Sequence, residues 1–249
     1  MEEKTSEFGK EGDLVPQNVQ HIVKTAALLK ILFLDWGGVI GGFSPDRFIK
    51  KLAMIFYTDY LRMSEFLYMH REETGMKIWE IIETQMSAEE IYETFCKHFH
   101  QRPPRDIFEY AFNAGLEVNS EHWINFVEVM EKVKAKGYLL GLISNVNHIH
   151  WKVISGTKFG YTLQFMEKDL IYASCKAGLR KCEQGVMFDY VFEDAYKKYG
   201  VPRNNIFFAD DKEENVRGCN RVGATAIQFE HGNISKFHAN LIRVGFFDE

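Results

Sequence analysis

A chain of 249 residues with 46% hydrophobic and 26% charged side chains can bury a large core, so we expect a folded protein rather than a disordered one. Its net charge of −5 excludes the strong positive field that collects nucleic acid or anionic membrane non-specifically. No apolar run approaches the roughly 20 residues that cross a bilayer, and the acidic, polar start is unlike a secretory signal, so a cytoplasmic protein without nucleic-acid or membrane partners is expected.

The N-terminal residues 1–27 are predicted to form an extension in front of the folded core. As far as about Pro16 the segment is polar, charged and glycine-containing, which is typical of a mobile terminus. From Gln17 to Lys30 apolar residues recur at roughly helical spacing, and this pattern indicates a short helix beside the first strand.

The first strong signal is the apolar run from Ile31 to Leu34, which leads directly into Asp35. A run so short and so apolar is typical of a strand that is buried on both faces. Gly37 and Gly38 follow closely, and glycines allow the backbone to approach whatever lies at the tip of the strand. An acid at this position is predicted to face a binding site.

Residues 44–118 are predicted to form a helical insertion after this strand. Ser44 followed by Pro45 opens a helix, which the apolar pattern extends to His70. No stretch of the insertion is predicted as a strand. The signals that divide the remainder into further helices are Gly75, the capping box Ser87-x-x-Glu90, and Pro103-Pro104.

From residue 119 onward the chain is predicted to alternate helices and strands. This order indicates an α/β fold with a doubly wound, mainly parallel sheet, made of residues 28–43 and 119–249, with the helical cap domain at 44–118. The predicted elements are a helix from Asn119-Ser120 to Gly137, a strand from Tyr138 to Ile143, a strand with its turn at Phe165 to Ile171, a helix from Val186 to Tyr199, a strand before Asp210, a helix from Glu213 to Gly223, and a strand from Ala224 to Phe229.

A second acidic strand end lies far downstream of the first. The apolar run Ile206 to Ala209 leads into Asp210 and Asp211. If this strand is a neighbour of the first in a parallel sheet, these acids and Asp35 converge at the carboxyl edge, where open α/β sheets bind ligands. Because clustered carboxylates repel one another without a cation, the sequence predicts a divalent metal there.

Four segments in this order resemble the motifs of the haloacid dehalogenase-like hydrolase superfamily. The resemblance covers about Ile31 to Phe229, including the insertion. Most members of this superfamily are magnesium-dependent phosphatases, so the resemblance implies a Rossmann-like core, a helical cap, Mg²⁺ as cofactor and a small phosphorylated substrate. The four segments are Asp35 to Ile40, Ser144-Asn145, Lys181, and Asp210-Asp211 with Asn215.

The resemblance also implies a nucleophile and a metal site. Asp35 would attack phosphorus and form an aspartyl-phosphate that water later hydrolyses. Its second oxygen, the backbone carbonyl of Gly37 and the carboxylate of Asp211 would hold Mg²⁺. Asp210 would be the supporting acid of the metal site, and Asn215 would lie in the surrounding layer one helical turn further on.

Phosphate binding is implied for Ser144, Asn145 and Lys181. The Ser144 hydroxyl and the Asn145 backbone N–H suit equatorial phosphate oxygens at a helix start. Lys181 would neutralise charge between Asp35 and the transferring phosphoryl group. Without the other motifs, the Ser144-Asn145 pair is equally well interpreted as ordinary helix caps, and Lys181 as an exposed lysine.

Two positions depart from the family pattern. Gly37 stands where most family phosphatases carry the aspartate that protonates the leaving group, which favours substrates with easy leaving groups or an acid supplied by the cap. Cys182 stands where proline usually follows the lysine, which predicts looser placement of Lys181. These departures keep open a catalytically weak binding or regulatory protein. A haloacid dehalogenase is a further alternative, although such enzymes need no metal and typically lack the paired acids.

Other residues are weaker candidates for substrate or metal binding. Asp46, Arg47 and His70 are predicted as specificity residues of the insertion, and the Trp36 ring either lines the pocket or packs in the core. His148 and His150, two residues apart, are not expected to form a metal pair, and Asn147 is expected to cap their helix. The four cysteines form no C-x-x-C pair, so reduced thiols are expected. The oligomeric state does not follow from the sequence.

Overall fold

The computed structural model describes residues 29–117, 120–156 and 158–247. The N-terminal extension predicted over residues 1–27 lies outside the described residues, as do Asn119 and nearly all of the helix predicted from Gln17 to Lys30.

Seven strands form two sheets within the described residues. The strands are β1 (Ile31–Leu34), β2 (Gly42–Phe43), β3 (Leu116–Glu117), β4 (Leu139–Ser144), β5 (Ile171–Ala173), β6 (Ile206–Asp210) and β7 (Thr225–Gln228). The main sheet is parallel with the order β5-β4-β1-β6-β7, while β2 and β3 form a separate antiparallel pair. Because the strand order reverses on the two sides of β1, the switch point at which such sheets bind ligands falls at the carboxyl end of β1.

The helices flank the main sheet or belong to the insertion. They are α1 (Pro45–Ile55), α2 (Tyr60–Tyr68), α3 (Ile78–Thr84), α4 (Ala88–Phe99), α5 (Arg105–Phe112), α6 (Ser120–Ala135), α7 (His148–Gly156), α8 (Ser174–Ala177), α9 (Val186–Tyr199), α10 (Glu213–Arg221) and α11 (Ile234–Arg243). Within the described ranges, none of them combines the length and the apolarity that a bilayer span requires.

The central strand β1 is buried on both faces, as its sequence predicts. Its side chains alternate between two apolar clusters, with Leu32 and Leu34 in one and Ile31 and Phe33 in the other. Helices α6 and α11 contribute to the first cluster, and α9 contributes to the second. Burial on both faces explains why β1 carries no polar residue, and the predicted α/β, doubly wound fold is confirmed.

The insertion has an apolar core of its own. Its helices bury a cluster of aromatic rings that includes Phe48, Phe56, Phe95 and Phe108. The capping box at Ser87 is formed as predicted, since the Ser87 hydroxyl accepts from the N–H of residue 90 and the carboxylate of that residue accepts from the Ser87 N–H. The division into a core and a cap domain at residues 44–118 stays a prediction.

The prediction of one long helix from Ser44 to His70 is wrong, because two helices occupy this stretch. Helix α1 ends at Ile55, and Tyr57 adopts a left-handed backbone conformation with φ of 49° that interrupts the helix. Asp59 then caps α2 by accepting from the Arg62 N–H. The apolar pattern continues through the break because both helices pack against the same core.

Three further assignments need correction. The insertion region does contain a strand, since β3 pairs with β2 near its base. The strand predicted at Phe165 to Ile171 is instead a pair of 3₁₀ turns, and β5 begins only at its last residue. Helix α11 goes unpredicted from the sequence, although Phe237 and Leu241 lie one turn apart on its buried face. The strands β3 and β5, with two and three residues, are too short to show the alternation of apolar and polar residues that predicts a strand.

Candidate active site

The pairing of β1 with β6 places the first acid beside the other two. Leu34 pairs with Ala209, and the Asp35 N–H donates to the Ala209 carbonyl oxygen at 2.9 Å. One carboxylate oxygen from each of Asp35, Asp210 and Asp211 can be chosen so that all three lie within 4.8 Å of one another. The structure therefore brings these three acids together at the carboxyl edge of the sheet, as the strand order predicts.

Lys181 is the cation of this cluster. Its Nζ lies 2.7 Å from Asp35 Oδ2 and 2.6 Å from Asp210 Oδ2, and its side chain is only 1% exposed. Burial disfavours the ammonium, but the carboxylates of Asp210 and Asp35 outweigh this effect and raise the pKa of Lys181 above its usual range. The interpretation of Lys181 as an exposed lysine is therefore wrong, and the residue stays charged.

Asp35 lies in an environment that opposes its ionisation. Burial, assisted by the charge of Asp210, raises the pKa of Asp35 to about 7, although Lys181 and a hydrogen bond from Ser144 act in the opposite direction. Its Oδ1 accepts from the Trp36 N–H at 2.7 Å. A divalent cation at this position would favour the ionised form of the carboxylate.

Asp210 and Asp211 differ in how their oxygens are used. Both oxygens of Asp210 accept hydrogen bonds from the protein, from the Lys212 N–H, from Lys181 Nζ and from the Asn215 amide. Asp211 Oδ1 is buried and has no hydrogen-bond partner among the described residues, and burial and Asp210 raise its pKa. An unpartnered buried carboxylate oxygen beside two other acids fits a hard cation such as Mg²⁺. This geometry fits Asp211 as a direct ligand and Asp210 and Asn215 as its support.

Gly38 allows the backbone after β1 to pack against Asp211. A Cβ at Gly38 would lie 2.4 Å from the Asp211 carboxyl carbon, and φ there is +78°. A Cβ at Gly37 would meet nothing within 4 Å. Gly38 is thus the glycine that the site requires, while position 37 has room for a side chain.

Ser144 and Asn145 follow β4, the other neighbour of β1. Ser144 is buried, and its hydroxyl acts to lower the pKa of Asp35. The Asn145 side chain holds the backbone of Lys181, accepting from its N–H at 2.7 Å and donating to its carbonyl oxygen at 3.1 Å. Asn147 instead caps α7 through the His150 N–H. The interpretation of Ser144-Asn145 as the helix cap is therefore wrong.

The fold is similar to those of solved HAD-family proteins. No protein-family profile matches the sequence. A HAD-family enzyme of Bacteroides thetaiotaomicron, solved with magnesium and inorganic phosphate, has a TM-score of 0.67 and 23% identity, covering 82% of this chain and 96% of its own. A predicted HAD-like hydrolase of Porphyromonas gingivalis has a TM-score of 0.64 and 20% identity, covering 87% and 99%. The chain has the haloacid dehalogenase-like (HAD) fold. The roles of the individual residues stay predictions.

A cavity of about 840 Å³ opens from the acidic edge of the HAD core toward the insertion. Its volume is suited to a small-molecule ligand. The core contributes Asp35, Ser144, Asn145, Lys181 and Asp211 to its lining, and the other side contributes Phe43, Phe48, Trp79, Glu80 and Glu83.

Helix α3 of the insertion is tied to the core segment that carries Lys181. Arg180 reaches Glu80 at 2.8 Å and Glu83 at 3.3 Å. The Ser174 hydroxyl, fully buried, donates to the Glu83 carbonyl oxygen at 2.7 Å. Burial raises the pKa of Glu83, against the opposing charges of Arg180 and Lys212. No sequence pattern indicates these bonds.

The predicted specificity residues of the insertion lie elsewhere. Asp46 pairs with Lys50, Arg47 pairs with Glu117, and the His70 ring bonds to the Gly75 carbonyl oxygen, so these predictions are wrong. None of the three lines the cavity described above. All three are exposed polar residues, and a polar residue at the surface is more often solvated than functional.

The Trp36 ring both packs in the core and lines the cavity, so both interpretations of this residue apply. It is 3% exposed, packs in the core cluster that contains Leu32 and Leu34, and also lines the cavity. A Cβ at Gly41 would lie 2.4 Å from this ring. The indole thus closes the base of the loop that follows β1.

His150 is a buried structural residue. One ring nitrogen bonds to the Phe112 carbonyl oxygen at 2.9 Å and the other to the Asn147 amide at 3.0 Å. Burial lowers the pKa of His150 to about 4, so the ring is neutral at pH 7. All four cysteines are unpaired, in agreement with the expected thiols.

Proposed function

We propose that this protein is a magnesium-dependent phosphatase that hydrolyses a small phosphorylated metabolite through an aspartyl-phosphate on Asp35. The observation that carries the proposal is the Lys181 ammonium held between Asp35 and Asp210, with an Asp211 oxygen in the same cluster that has no hydrogen-bond partner in the described part of the chain. A cation next to a carboxylate nucleophile suits the charge that gathers during phosphoryl transfer. The similar enzyme of Bacteroides thetaiotaomicron was solved with magnesium and inorganic phosphate, which supports the proposal.

In this proposal Asp35, Asp211 and the Gly37 carbonyl would hold Mg²⁺, with Asp210 and Asn215 orienting the site. When bound, the ion supplies positive charge that stabilises the phosphoryl oxygens. Asp210 is suited to support rather than ligation, because both of its oxygens already accept hydrogen bonds.

The residues of the chain divide the reaction into two displacements. An Asp35 oxygen forms a bond to phosphorus while the bond from phosphorus to the leaving oxygen breaks, and that oxygen takes a proton from solvent. Water then attacks the phosphorus of the aspartyl-phosphate, restores the Asp35 carboxylate, loses a proton to solvent and releases inorganic phosphate. Ser144 and the Asn145 N–H hold the phosphoryl oxygens, and Lys181 offsets their charge. The insertion over residues 44–118 acts as a cap that limits water.

The missing acid at position 37 predicts a preference for easy leaving groups. The wild-type protein should turn over p-nitrophenyl phosphate on the order of 10²-fold faster than a simple alkyl phosphate. Because a Cβ at position 37 would meet nothing within 4 Å, Gly37→Asp should accelerate the alkyl ester selectively. Equal turnover of both esters by the wild-type protein would contradict this part of the proposal.

A screen of phosphorylated metabolites with and without Mg²⁺ tests the proposed function. Asp35→Asn should lower kcat by about 10³-fold or more while the fold is retained, since the nucleophile is lost. Asp46→Asn is the matched control, because Asp46 pairs with Lys50 at an exposed site away from the cavity. Magnesium-independent hydrolysis, or equal activity in Asp35→Asn, would overturn the proposal.

The absence of an acid at position 37 also favours a second candidate, a binding or regulatory protein with little turnover. Beryllofluoride separates the two, because it mimics a phosphoryl group on a carboxylate. A magnesium-dependent adduct on Asp35 supports the enzyme, and no adduct at saturating concentrations supports the binding protein. Turnover of a 2-haloacid without metal would instead indicate the third candidate, a dehalogenase.

A further inference from the structure

We infer that Asn145 is a positioning residue for Lys181, acting through its side-chain amide, an inference that rests on the proposed function for its catalytic consequence. The amide makes a closed pair of hydrogen bonds with one residue: Oδ1 accepts from the Lys181 N–H at 2.7 Å and Nδ2 donates to the Lys181 carbonyl oxygen at 3.1 Å. Two bonds to the same residue fix both the place and the orientation of its backbone.

Lys181 needs such an anchor because it lies in a loop. Helix α8 ends at Ala177 and is followed by Gly178, where φ is +66°, and α9 begins only at Val186. Cys182 replaces the proline that would stiffen this segment in the family pattern. A lysine side chain loses rotamer entropy when it is fixed, so a mobile backbone at Lys181 would weaken its bonds to both carboxylates.

Asn145 is well placed to supply this rigidity. It directly follows β4, whose partner β1 carries Asp35 at its own end. The amide therefore fixes the Lys181 backbone relative to the central sheet. Asparagine suits the task because its amide both accepts and donates, whereas alanine does neither and an ionised aspartate only accepts. This role is separate from the one proposed for its backbone N–H, which is phosphate binding.

Solvent exchange of the Lys181 ammonium tests the inference without any need for activity. In protein labelled with ¹⁵N-lysine, an ammonium buried between two carboxylates should give an NMR signal with slow hydrogen exchange, assigned by its loss in Lys181→Arg or, should that variant not fold, in Lys181→Gln. We expect Asn145→Ala to accelerate this exchange by at least about tenfold. Asn145→Ser, which cannot reproduce the paired bonds, serves if the alanine variant does not fold.

Asn147→Ala is the matched control for a general loosening of the loop. Asn147 is a buried amide two residues away that bonds to His150 rather than to Lys181. Its loss should lower the stability of the protein yet leave the Lys181 exchange rate within about twofold of the wild-type rate. Equal acceleration in both variants would overturn the inference, as would an unchanged rate in Asn145→Ala.

Kinetics provide the second readout. A displaced Lys181 should lower kcat by about 10- to 100-fold with KM changed less than about threefold, because the ammonium acts on charge that develops in the transition state. A rise in KM with kcat unchanged would contradict positioning and indicate a substrate contact instead. If the wild-type protein proves inactive, the proposed function fails, while the exchange measurement still decides whether Asn145 positions Lys181.

Discussion

The two sides of the cavity are built in different ways. The core side, formed by Asp35, Lys181 and Asp211, consists of buried or half-buried charged groups, placed by strand pairing and by the ion pair between Asp35 and Lys181. The insertion side mixes apolar residues, among them Phe48 and Trp79, with charged ones such as Glu83. We therefore expect changes on the core side to abolish chemistry on any substrate, and changes on the insertion side to alter substrate affinity and stability.

Lys181→Met should have the largest effect. It leaves Asp35 and Asp210 buried without their cation, which should cost about 3–5 kcal/mol of stability in metal-free protein. It should also lower kcat by about 10³-fold or more on every substrate, because charge at the phosphoryl group is no longer offset. Denaturant unfolding and steady-state kinetics measure the two effects.

Lys198→Met is the control for this lysine. Lys198 lies 2.6 Å from Asp194, one turn apart on α9, but these side chains are 35% and 30% exposed. Its removal should change stability by less than about 1 kcal/mol. If Lys181→Met and Lys198→Met were equally stable and equally active, the buried cluster around Lys181 would not determine stability and catalysis as we expect.

Gly38→Ala compared with Gly37→Ala separates two adjacent glycines. At Gly38 the new Cβ would lie 2.4 Å from the Asp211 carboxyl group and the left-handed backbone would be strained, whereas at Gly37 it meets nothing. Gly38→Ala should weaken Mg²⁺ binding by about 10- to 100-fold by displacing a ligand, and Gly37→Ala by less than about threefold. Titration calorimetry with Mg²⁺ measures both, and equal affinities would contradict the role given to Asp211.

The core side could be predicted because its signals are local in sequence. A short apolar run that ends in an acid is how a buried parallel strand meets a site, so Asp35 and Asp210 were recognisable one at a time. The two acids meet if their strands are neighbours in one sheet. Gly38 carried a weaker signal, the Gly-Gly pair itself, which does not tell which glycine the site requires.

The bonds that hold the Lys181 segment could not be predicted in this way. The Asn145 amide acts on a residue 36 positions away, and Arg180 reaches carboxylates 97 and 100 positions away. Such contacts depend on how loops and insertion pack, and no period or spacing encodes them. For the same reason the predictions for Asp46 and His70 are wrong, since polarity alone does not show which residues of the insertion meet the cavity.

Arg180→Leu tests the insertion side. The loss of its bonds to Glu80 and Glu83 should cost about 1–3 kcal/mol, chiefly because the buried Glu83 loses a partner. We expect KM to rise by about tenfold as α3 shifts, with kcat within about threefold. Arg102→Leu is the matched control, because Arg102 binds Glu93 with two bonds at an exposed site of the insertion. A fall in kcat as large as the rise in KM would contradict the separation of the two sides, because a change on the insertion side would then also impair the chemistry.

His150→Gln should have the smallest effect, and it should appear only in the dependence of stability on pH. Burial lowers the pKa of His150 from 6.5 to about 4 in the folded protein, so the unfolded chain binds the extra proton first as the pH falls. The stabilisation is complete above pH 6.5 and is lost progressively down to about pH 4, with roughly 1.4 kcal/mol lost between pH 7.5 and 5.5. Glutamine can donate to the Phe112 carbonyl oxygen and accept from Asn147 but does not titrate, so the variant should lose that much less over the same interval. Chemical unfolding at the two pH values measures the difference. Equal losses of stability in both proteins would show that His150, which bonds to Phe112 of the insertion, does not cause the pH dependence.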